Sequence, residues 1–236
     1  MIWRWLICFS SFVLSVNAAA VKGSVVLTGS RESRVQRGHD FSGVVVWLEP
    51  LGRIQNAADA PPRHLKTAEM LQKHKMFMPH LIAVPVGTAV AFPNADPIFH
   101  NVFSSFSGQV FDIGLYPPGT SRSVVFRRPG VVRVFCNIHP AMSAVIVVTR
   151  SRYFAVTDSH GNFAIADVRA ADYLLQVFPE RASEETLEKL QREVSVGEPS
   201  VAIPELSISE SGYLALPHKD KYGKDYPPEG YAGVTP

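Results

Sequence analysis

Short stretches rich in Val, Ile, Phe and Thr, separated by Gly and Pro turns, recur along most of this chain of 236 residues. Stretches of this length and composition, punctuated at regular spacing, predict strands of a sandwich or barrel rather than helices. The predicted strands are 22–28, 42–49, 81–84, 88–92, 101–104, 121–126, 131–135, 144–149, 153–157, 162–166, 173–178 and one within 201–208. The fold class predicted from this pattern is all-β.

Two local features complete this prediction. The turn Asp158–Gly161 should join its flanking strands as a hairpin, because Asp and Gly favour tight turns. One helix is predicted from Ser183 to about Glu193, since Ser183 suits a helix N-cap and Leu187 and Leu190 form one apolar stripe. Residues 67–74 are ambiguous between helix and strand, and we favour an extended conformation.

The first twenty residues are predicted to be an export signal. Arg4 supplies a positive charge, Leu6 to Val16 is largely apolar, and Ala18 to Ala20 provides a small-residue cleavage site. The apolar run is shorter than the roughly 20 residues that a membrane helix needs. We therefore expect a periplasmic mature protein with no membrane span, and a retained anchor is the alternative. The formal net charge of +2 gives no support for nucleic-acid binding.

Removal of that signal would leave Cys136 as the one cysteine of the mature chain, because Cys8 lies within the signal. No disulfide could then form within the chain. In an oxidising compartment a lone thiol is expected to be buried, paired with another chain or held as a metal thiolate.

The residues around Cys136 favour a metal. Cys136, His139 and Met142 follow a strong predicted strand with two residues between successive members, and His100 lies beside an earlier strand. Two His and one Cys with a weak axial Met form the ligand set of blue-copper sites. Zinc sites more usually pair Cys or His and lack Met.

This part of the chain, about 76–149, resembles the cupredoxins. The Cys136–Met142 spacing is similar to the copper loop of amicyanins, and His100-Asn101-Val102 is similar to the sequence at the upstream histidine of amicyanins and plastocyanins. The resemblance implies a Greek-key β-sandwich that holds one type 1 copper ion through His100, Cys136, His139 and Met142. It also implies that Asn101 ties the two ligand segments together.

The flanking parts resemble a second, smaller sandwich of the carboxypeptidase regulatory-like (transthyretin-like) class. The residues that carry this resemblance include Lys22–Val25, Ser42–Val46 and Tyr173-x-Leu175-x-Val177, although Ala171 stands where a turn Gly is commoner. The combination is similar to bacterial cupredoxin-like proteins labelled methylamine-utilisation proteins. The predicted organisation is a signal (1–20), the first part of the second sandwich (21–62), the cupredoxin domain (63–150), the second part (151–208) and an extended or disordered tail (209–236).

Other candidate residues have simpler explanations. His80 could support a copper site, but a partly buried, hydrogen-bonded histidine is favoured. Asp96 could bind a metal, but an ordinary Asx turn is favoured in this Pro-bounded segment. Met70, Met76 and Met78, near His74, could hold Cu(I) for delivery, but Met more often fills gaps in a core. Phe103, Phe106, Pro140 and Ala141 could form a docking patch or ordinary core. Arg122, Arg127, Arg128 and Arg133 could steer an acidic partner or form a solvated strand face.

These features predict an electron carrier rather than an enzyme, because a site with four protein ligands leaves no open position for a substrate. The resemblance implies a redox partner such as a c-type cytochrome. Two alternatives stay open, namely a copper-binding or delivery module and a cell-envelope interaction protein with a structural copper site.

Overall fold

The computed structural model describes residues 19–52, 67–105, 108–182, 184–197, 200–214 and 217–226. Its strands are β1 (Ala19–Thr28), β2 (Val45–Pro50), β3 (Ala68–Glu69), β4 (Leu71–Lys73), β5 (Met76–Met78), β6 (Leu81–Pro85), β7 (Ala89–Pro93), β8 (His100–Ser104), β9 (Phe111–Tyr116), β10 (Ser121–Val125), β11 (Gly130–Cys136), β12 (His139–Thr149), β13 (Phe154–Val156), β14 (Asn162–Val168), β15 (Ala171–Phe178), β16 (Arg192–Val196), β17 (Val201–Ala202) and β18 (Leu206–Ser209). Two short helices are α1 (Ser33–Gln36) and α2 (Glu184–Leu190). The predicted all-β class is confirmed.

The ends of the predicted organisation fall partly outside this description. Most of the predicted signal, residues 1–18, and the predicted boundary at 62/63 lie outside the described residues. Strand β1 begins at Ala19, two residues before the predicted cleavage point. Within the described part of the chain, neither helix is long and apolar enough to cross a bilayer.

Four sheets account for most of these strands. The first has the order β14-β1-β17, with β18 also paired to β1, and the second has the order β13-β2-β15-β16. Side chains from both fill one apolar core, which includes Val25, Leu48 and Ile165. These sheets contain the chain on either side of the predicted cupredoxin domain, and its carboxypeptidase regulatory-like class stays a prediction.

The predicted cupredoxin domain is a sandwich of the other two sheets. One has the order β6-β12-β11-β8-β9 and the other has the order β10-β7-β3. The core between them contains Phe92, Val102, Val134 and Ile146. The short hairpin of β4 and β5 lies beside this sandwich.

A third apolar cluster joins the two sandwiches into a stack of four layers. Val45 and Phe178 from the second sheet contact Val145 and Val147 from β12. Alternate residues of β12, such as Ile146, point into the cupredoxin core. Residues 144–148 of β12 are covered on both faces, which is why this part of the strand is a continuous apolar run rather than an alternating one.

Glu180 adds a polar link across the same junction. Its carboxylate accepts a hydrogen bond from His80 Nε2 at 2.9 Å and lies 3.5 Å from Arg133 Nη1. His80 and Arg133 belong to the cupredoxin part, whereas Glu180 follows β15. His80 is therefore hydrogen-bonded, as expected, but its side chain is 48% exposed rather than partly buried, and Arg133 has an acidic partner within the chain.

Replacing Glu180 by Gln should weaken this junction. Burial alone would raise the pKa of Glu180, but the hydrogen bond from His80 and the neighbouring positive charges outweigh burial and lower it. The resulting stabilisation is present above the ordinary pKa of 4.5 and is lost as the pH falls through the lower pKa of the folded state. We expect Glu180→Gln to lower the free energy of unfolding at pH 7 by about 1 kcal/mol. Urea unfolding at pH 7 and pH 3.5 measures this.

Glu185→Gln is the matched control, because Glu185 pairs only with Lys189 on the exposed face of α2 among the contacts described. The difference in the free energy of unfolding between Glu180→Gln and the wild type should be smaller at pH 3.5 than at pH 7. A difference that grows at low pH would contradict the assigned direction of the pKa shift.

Several elements differ from the sequence predictions. The Asp158–Gly161 turn is present, but the hairpin is wrong, because β13 pairs with β2 and β14 pairs with β1 in another sheet. The helix ends at Leu190 because Val194 and Val196 alternate into the core and their strand pairs with β15. Strand β9 was missed because it is a largely exposed edge strand interrupted by Asp112 and Gly114.

Candidate metal centre

The predicted ligands come from three neighbouring strand ends. His100 is the first residue of β8, Cys136 is the last of β11, and His139 is the first of β12. Strands β8 and β12 both pair with β11, so their ends lie side by side. A register shift between Phe135 and Cys136 is followed by a tight turn in which Cys136 and His139 face each other.

The three side chains converge on one point. Cys136 Sγ lies 3.8 Å from His100 Nδ1 and 3.5 Å from His139 Nδ1. All three donor atoms lie within 4.8 Å of one another. An ion held in one plane by two imidazoles and a thiolate at ordinary bond lengths would separate nitrogen from sulfur by about 3.7 Å. The observed spacing therefore fits one metal ion.

Met142 lies three residues beyond His139 on β12. Its side chain is fully buried in the same core cluster as Cys136. The structure thus brings together three of the four predicted ligands and places the fourth in the adjoining core.

Burial shifts the pKa values of Cys136 and His139. His100 and Cys136 are 0% exposed, whereas His139 is half-buried. Burial raises the pKa of the Cys136 thiol, although backbone N–H groups of Ile138, Asn101 and His139 oppose the shift. Burial is the main cause that lowers the pKa of His139, and the neighbouring His100 and Lys75 side chains act in the same direction. His139 is therefore neutral near pH 7, which leaves a nitrogen lone pair free for a metal.

Asp96 orients His100. Its carboxylate accepts a hydrogen bond from His100 Nε2 at 2.8 Å and from the backbone N–H groups of His74 and Lys75 at 2.6 and 2.9 Å. Burial would raise the pKa of Asp96, but these hydrogen bonds lower it overall. Because the Nε2 proton is held by the carboxylate, Nδ1 is the free acceptor that faces Cys136.

The prediction of an ordinary Asx turn at Asp96 was wrong. The Asx turn belongs to Asn94, whose Oδ1 accepts the Asp96 N–H at 3.1 Å. The position of Asp96 four residues before a predicted ligand was the available signal, but its backbone partners come from a segment more than twenty residues away.

Asn101 has the role that the resemblance implied. Its Oδ1 accepts the Asn137 N–H at 3.2 Å, and its Nδ2 donates to Asp112 at 2.7 Å. The two ligand segments are therefore tied together directly, and this prediction is confirmed.

The remaining candidates separate into core and surface. Met70 and Phe103 are buried, so neither belongs to a surface group. Met76 and Met78 are 50% and 44% exposed on one face of β5. Pro140 and Ala141 are exposed beside the ligands, and Phe106 lies outside the described residues.

The chain matches no protein-family model. It is 41% identical over 56 residues to the methylamine utilization protein MauL of Methylorubrum extorquens, a match that covers 23% of this chain and 49% of the relative. The chain thus spans about half the length of the curated relative that it matches.

Three solved structures are also similar. The purple cupredoxin from Nitrosopumilus maritimus is 26% identical, with 35% of this chain and 99% of that chain covered and a TM-score of 0.32. The amicyanin from Paracoccus versutus is 18% identical, with 44% and 97% covered and a TM-score of 0.34. The copper-containing nitrite reductase from Thermus scotoductus is 22% identical, with 43% and 25% covered and a TM-score of 0.35.

The two-sheet sandwich and the buried His–Cys–His cluster at its strand ends define a cupredoxin-like domain. The predicted resemblance is confirmed for this part of the chain.

Proposed function

We propose that this protein is a mononuclear type 1 copper protein that carries single electrons between redox partners. The observation that carries the proposal is the convergence of the Cys136 thiol and two imidazole Nδ1 atoms, with Cys136 and His100 fully buried and His139 half-buried. A soft thiolate favours Cu(I) and imidazole accommodates Cu(II), so copper bound there would supply one-electron redox chemistry. We propose His100, Cys136, His139 and Met142 as its ligands.

The chain's own residues have distinct roles in this proposal. Asp96 holds the proton on His100 Nε2 and so keeps Nδ1 available. The backbone N–H groups of Asn101, Ile138 and His139 surround the Cys136 sulfur and stabilise a thiolate. Half-buried His139 reaches the surface beside exposed Ile138, which makes this face our proposed site of electron exchange.

The proposed setting is the periplasm, with a redox protein such as a c-type cytochrome as the partner. The predicted export signal and the ligand set support this setting. The name of the relative MauL refers to methylamine utilization, and we do not extend that substrate to this chain. We propose a carrier rather than an enzyme, because four protein ligands would leave no position for a substrate.

Copper delivery is a second candidate, favoured by Met76 and Met78. Their thioethers lie on the exposed face of β5, directly after Lys75, whose N–H binds Asp96. Thioethers at the surface could accept Cu(I) in transit. A carrier should cycle reversibly at an electrode with copper retained, whereas a delivery protein should pass Cu(I) to a competing chelator. Met76→Leu/Met78→Leu should slow that transfer only if delivery is the function.

The copper-loaded, oxidised protein provides the main test. We expect an intense visible absorption band from the copper–thiolate bond and the narrow copper hyperfine splitting of a type 1 site in electron paramagnetic resonance. A weak band with ordinary hyperfine splitting would contradict the type 1 assignment. Failure to bind copper would contradict the proposal as a whole.

Met142 should tune the site more than it holds the ion. An axial thioether is a long, weak ligand, and a harder amide oxygen favours Cu(II). We therefore expect Met142→Gln to retain copper and to lower the reduction potential, measured by protein-film voltammetry. Met70→Gln, in the same core, controls for the polar substitution. An unchanged potential in the Met142 variant would remove Met142 from the ligand set.

A further inference from the structure

A segment far along the chain lies against the ligand loop. Residues 217–226, here called the C-terminal strap, contain neither helix nor strand. The strap is ordered by a turn at Asp220, whose carboxylate accepts the backbone N–H groups of Tyr222 and Lys224 at 2.9 and 2.8 Å. A third hydrogen bond, from the Asp220 N–H to the Lys224 carbonyl at 2.8 Å, closes the turn. The strap thus has a defined conformation of its own.

The strap contacts the stretch 135–140, which carries two proposed ligands. Tyr226 donates its hydroxyl proton to the Cys136 carbonyl at 2.9 Å. His218 Nε2 donates to the Pro140 carbonyl at 2.8 Å, and its ring stacks on Phe135 at 4.0 Å between centroids. The strap therefore contacts the ligand loop both before His139, at Phe135 and Cys136, and after it, at Pro140.

Lys221 connects the strap with the upstream ligand segment through a hydrogen bond and an ion pair. Its backbone N–H donates to Asn137 Oδ1 at 2.9 Å, and its Nζ lies 2.7 Å from Asp112. Asp112 also accepts from Asn101, which in turn accepts the Asn137 N–H. Asn137 is therefore held by β8 through its backbone and by the strap through its side chain.

These contacts matter because the ligand loop leaves the regular ladder between β11 and β12. Backbone carbonyls in such a turn would otherwise be solvated and free to move. A metal site needs its donors held to within about 0.5 Å of the binding geometry. The strap supplies donors to two loop carbonyls, at Cys136 and Pro140, and an aromatic face to the residue before Cys136.

We propose that the C-terminal strap is a positioning element for the metal centre, in which Tyr226 and His218 hold the ligand loop in its metal-binding arrangement. This inference rests on the proposed copper function, although it makes a claim about the metal-free protein as well. Tyr226 and His218 act through Cys136, Pro140 and Phe135 and are positioning residues.

The first experiment uses the full chain without metal. Cys136 is fully buried, so alkylation by iodoacetamide reports opening of the loop. Its rate is measured by mass spectrometry of the peptide that contains Cys136. We expect Tyr226→Phe to raise this rate about fivefold, which corresponds to the loss of one hydrogen bond. The double variant His218→Phe/Tyr226→Phe should raise it further, because the His218 donor is also lost while an aromatic ring remains.

Tyr222→Phe is the matched control. It makes the same change within the strap, but the exposed Tyr222 side chain contacts Lys221 rather than residues 135–140 among the contacts described, and Phe keeps the ring beside Lys221. The urea midpoint is measured for every variant, so that global unfolding is separated from loop opening. A wild-type alkylation rate in Tyr226→Phe and in the double variant would overturn the proposal.

The second experiment uses the copper-loaded protein. We expect Tyr226→Phe to raise the rate of copper transfer to a chelator about fivefold and to shift the thiolate–copper band, while Tyr222→Phe changes neither. If Tyr226→Phe speeds alkylation of the metal-free protein but leaves the thiolate–copper band and the copper transfer rate unchanged, the positioning role is overturned. Absence of a band in the wild-type protein would instead overturn the proposed copper function, so the two failures are distinguishable.

Discussion

Cys136→Ser is expected to abolish the intense visible band of the copper-loaded protein. A serine hydroxyl cannot form the covalent thiolate bond that gives a type 1 site its colour, and it is a poor ligand for Cu(I). The fold should survive, because the backbone N–H groups that surround the Cys136 sulfur can bond to a serine oxygen. We expect a loss of about 1–2 kcal/mol in the free energy of unfolding. Absorption spectra and urea unfolding of both proteins test the two expectations.

Met70→Leu provides a matched control for this variant. Met70 is a fully buried sulfur-containing residue of the same core but is not a proposed ligand. The substitution conserves volume and should cost less than about 1.5 kcal/mol. The Met70 variant should keep the visible band. A band that persists in Cys136→Ser would remove Cys136 from the ligand set and leave the proposed function without its main support.

Asp96→Asn is expected to weaken copper binding by about 10- to 100-fold, the usual effect of losing the partner of a ligating histidine. The carboxylate accepts from His100 and from two backbone N–H groups at once. An amide has a single acceptor oxygen, so one or more of these bonds is lost and the His100 ring is free to turn. Competition with a chelator of known affinity measures the change.

Asp158→Asn is the matched control, because Asp158 also accepts two backbone N–H groups, from His160 and Asn162, in a turn of the other sandwich. This variant should bind copper as the wild type does. Equal affinities for the Asp96 variant and the wild type would show that His100 does not depend on Asp96 for its orientation.

The chemistry of the site could be predicted because its signals are local in sequence. Cys136, His139 and Met142 lie within seven residues directly after a strand, and their residue types specify a soft metal. His100 is distant along the chain, but its neighbours Asn101 and Val102 carried the cupredoxin resemblance. The strands were predictable for a similar reason, since the β-branched stretches and turn residues encode extended structure over a few residues.

The partners of each strand were not predictable from such signals. The turn Asp158–Gly161 has the residues of a hairpin, yet its two strands enter different sheets. Which strands pair depends on the core that each apolar face meets, and those contacts come from distant parts of the chain. The same limit applies to Val145 and Val147. They lie on the second face of β12, and residues of the other sandwich such as Val45 and Phe178 cover them.

The sequence by itself thus determined the all-β class and the identity of the candidate ligands, because periodicity and ligand chemistry reside in neighbouring residues. The tertiary structure alone decided that Asp96 orients His100, that Glu180 links the two sandwiches and that the strap at 217–226 lies on the ligand loop. Each of these contacts joins segments through backbone groups or common polar residues. Such groups carry no sequence signal of their partner until folding brings the segments together.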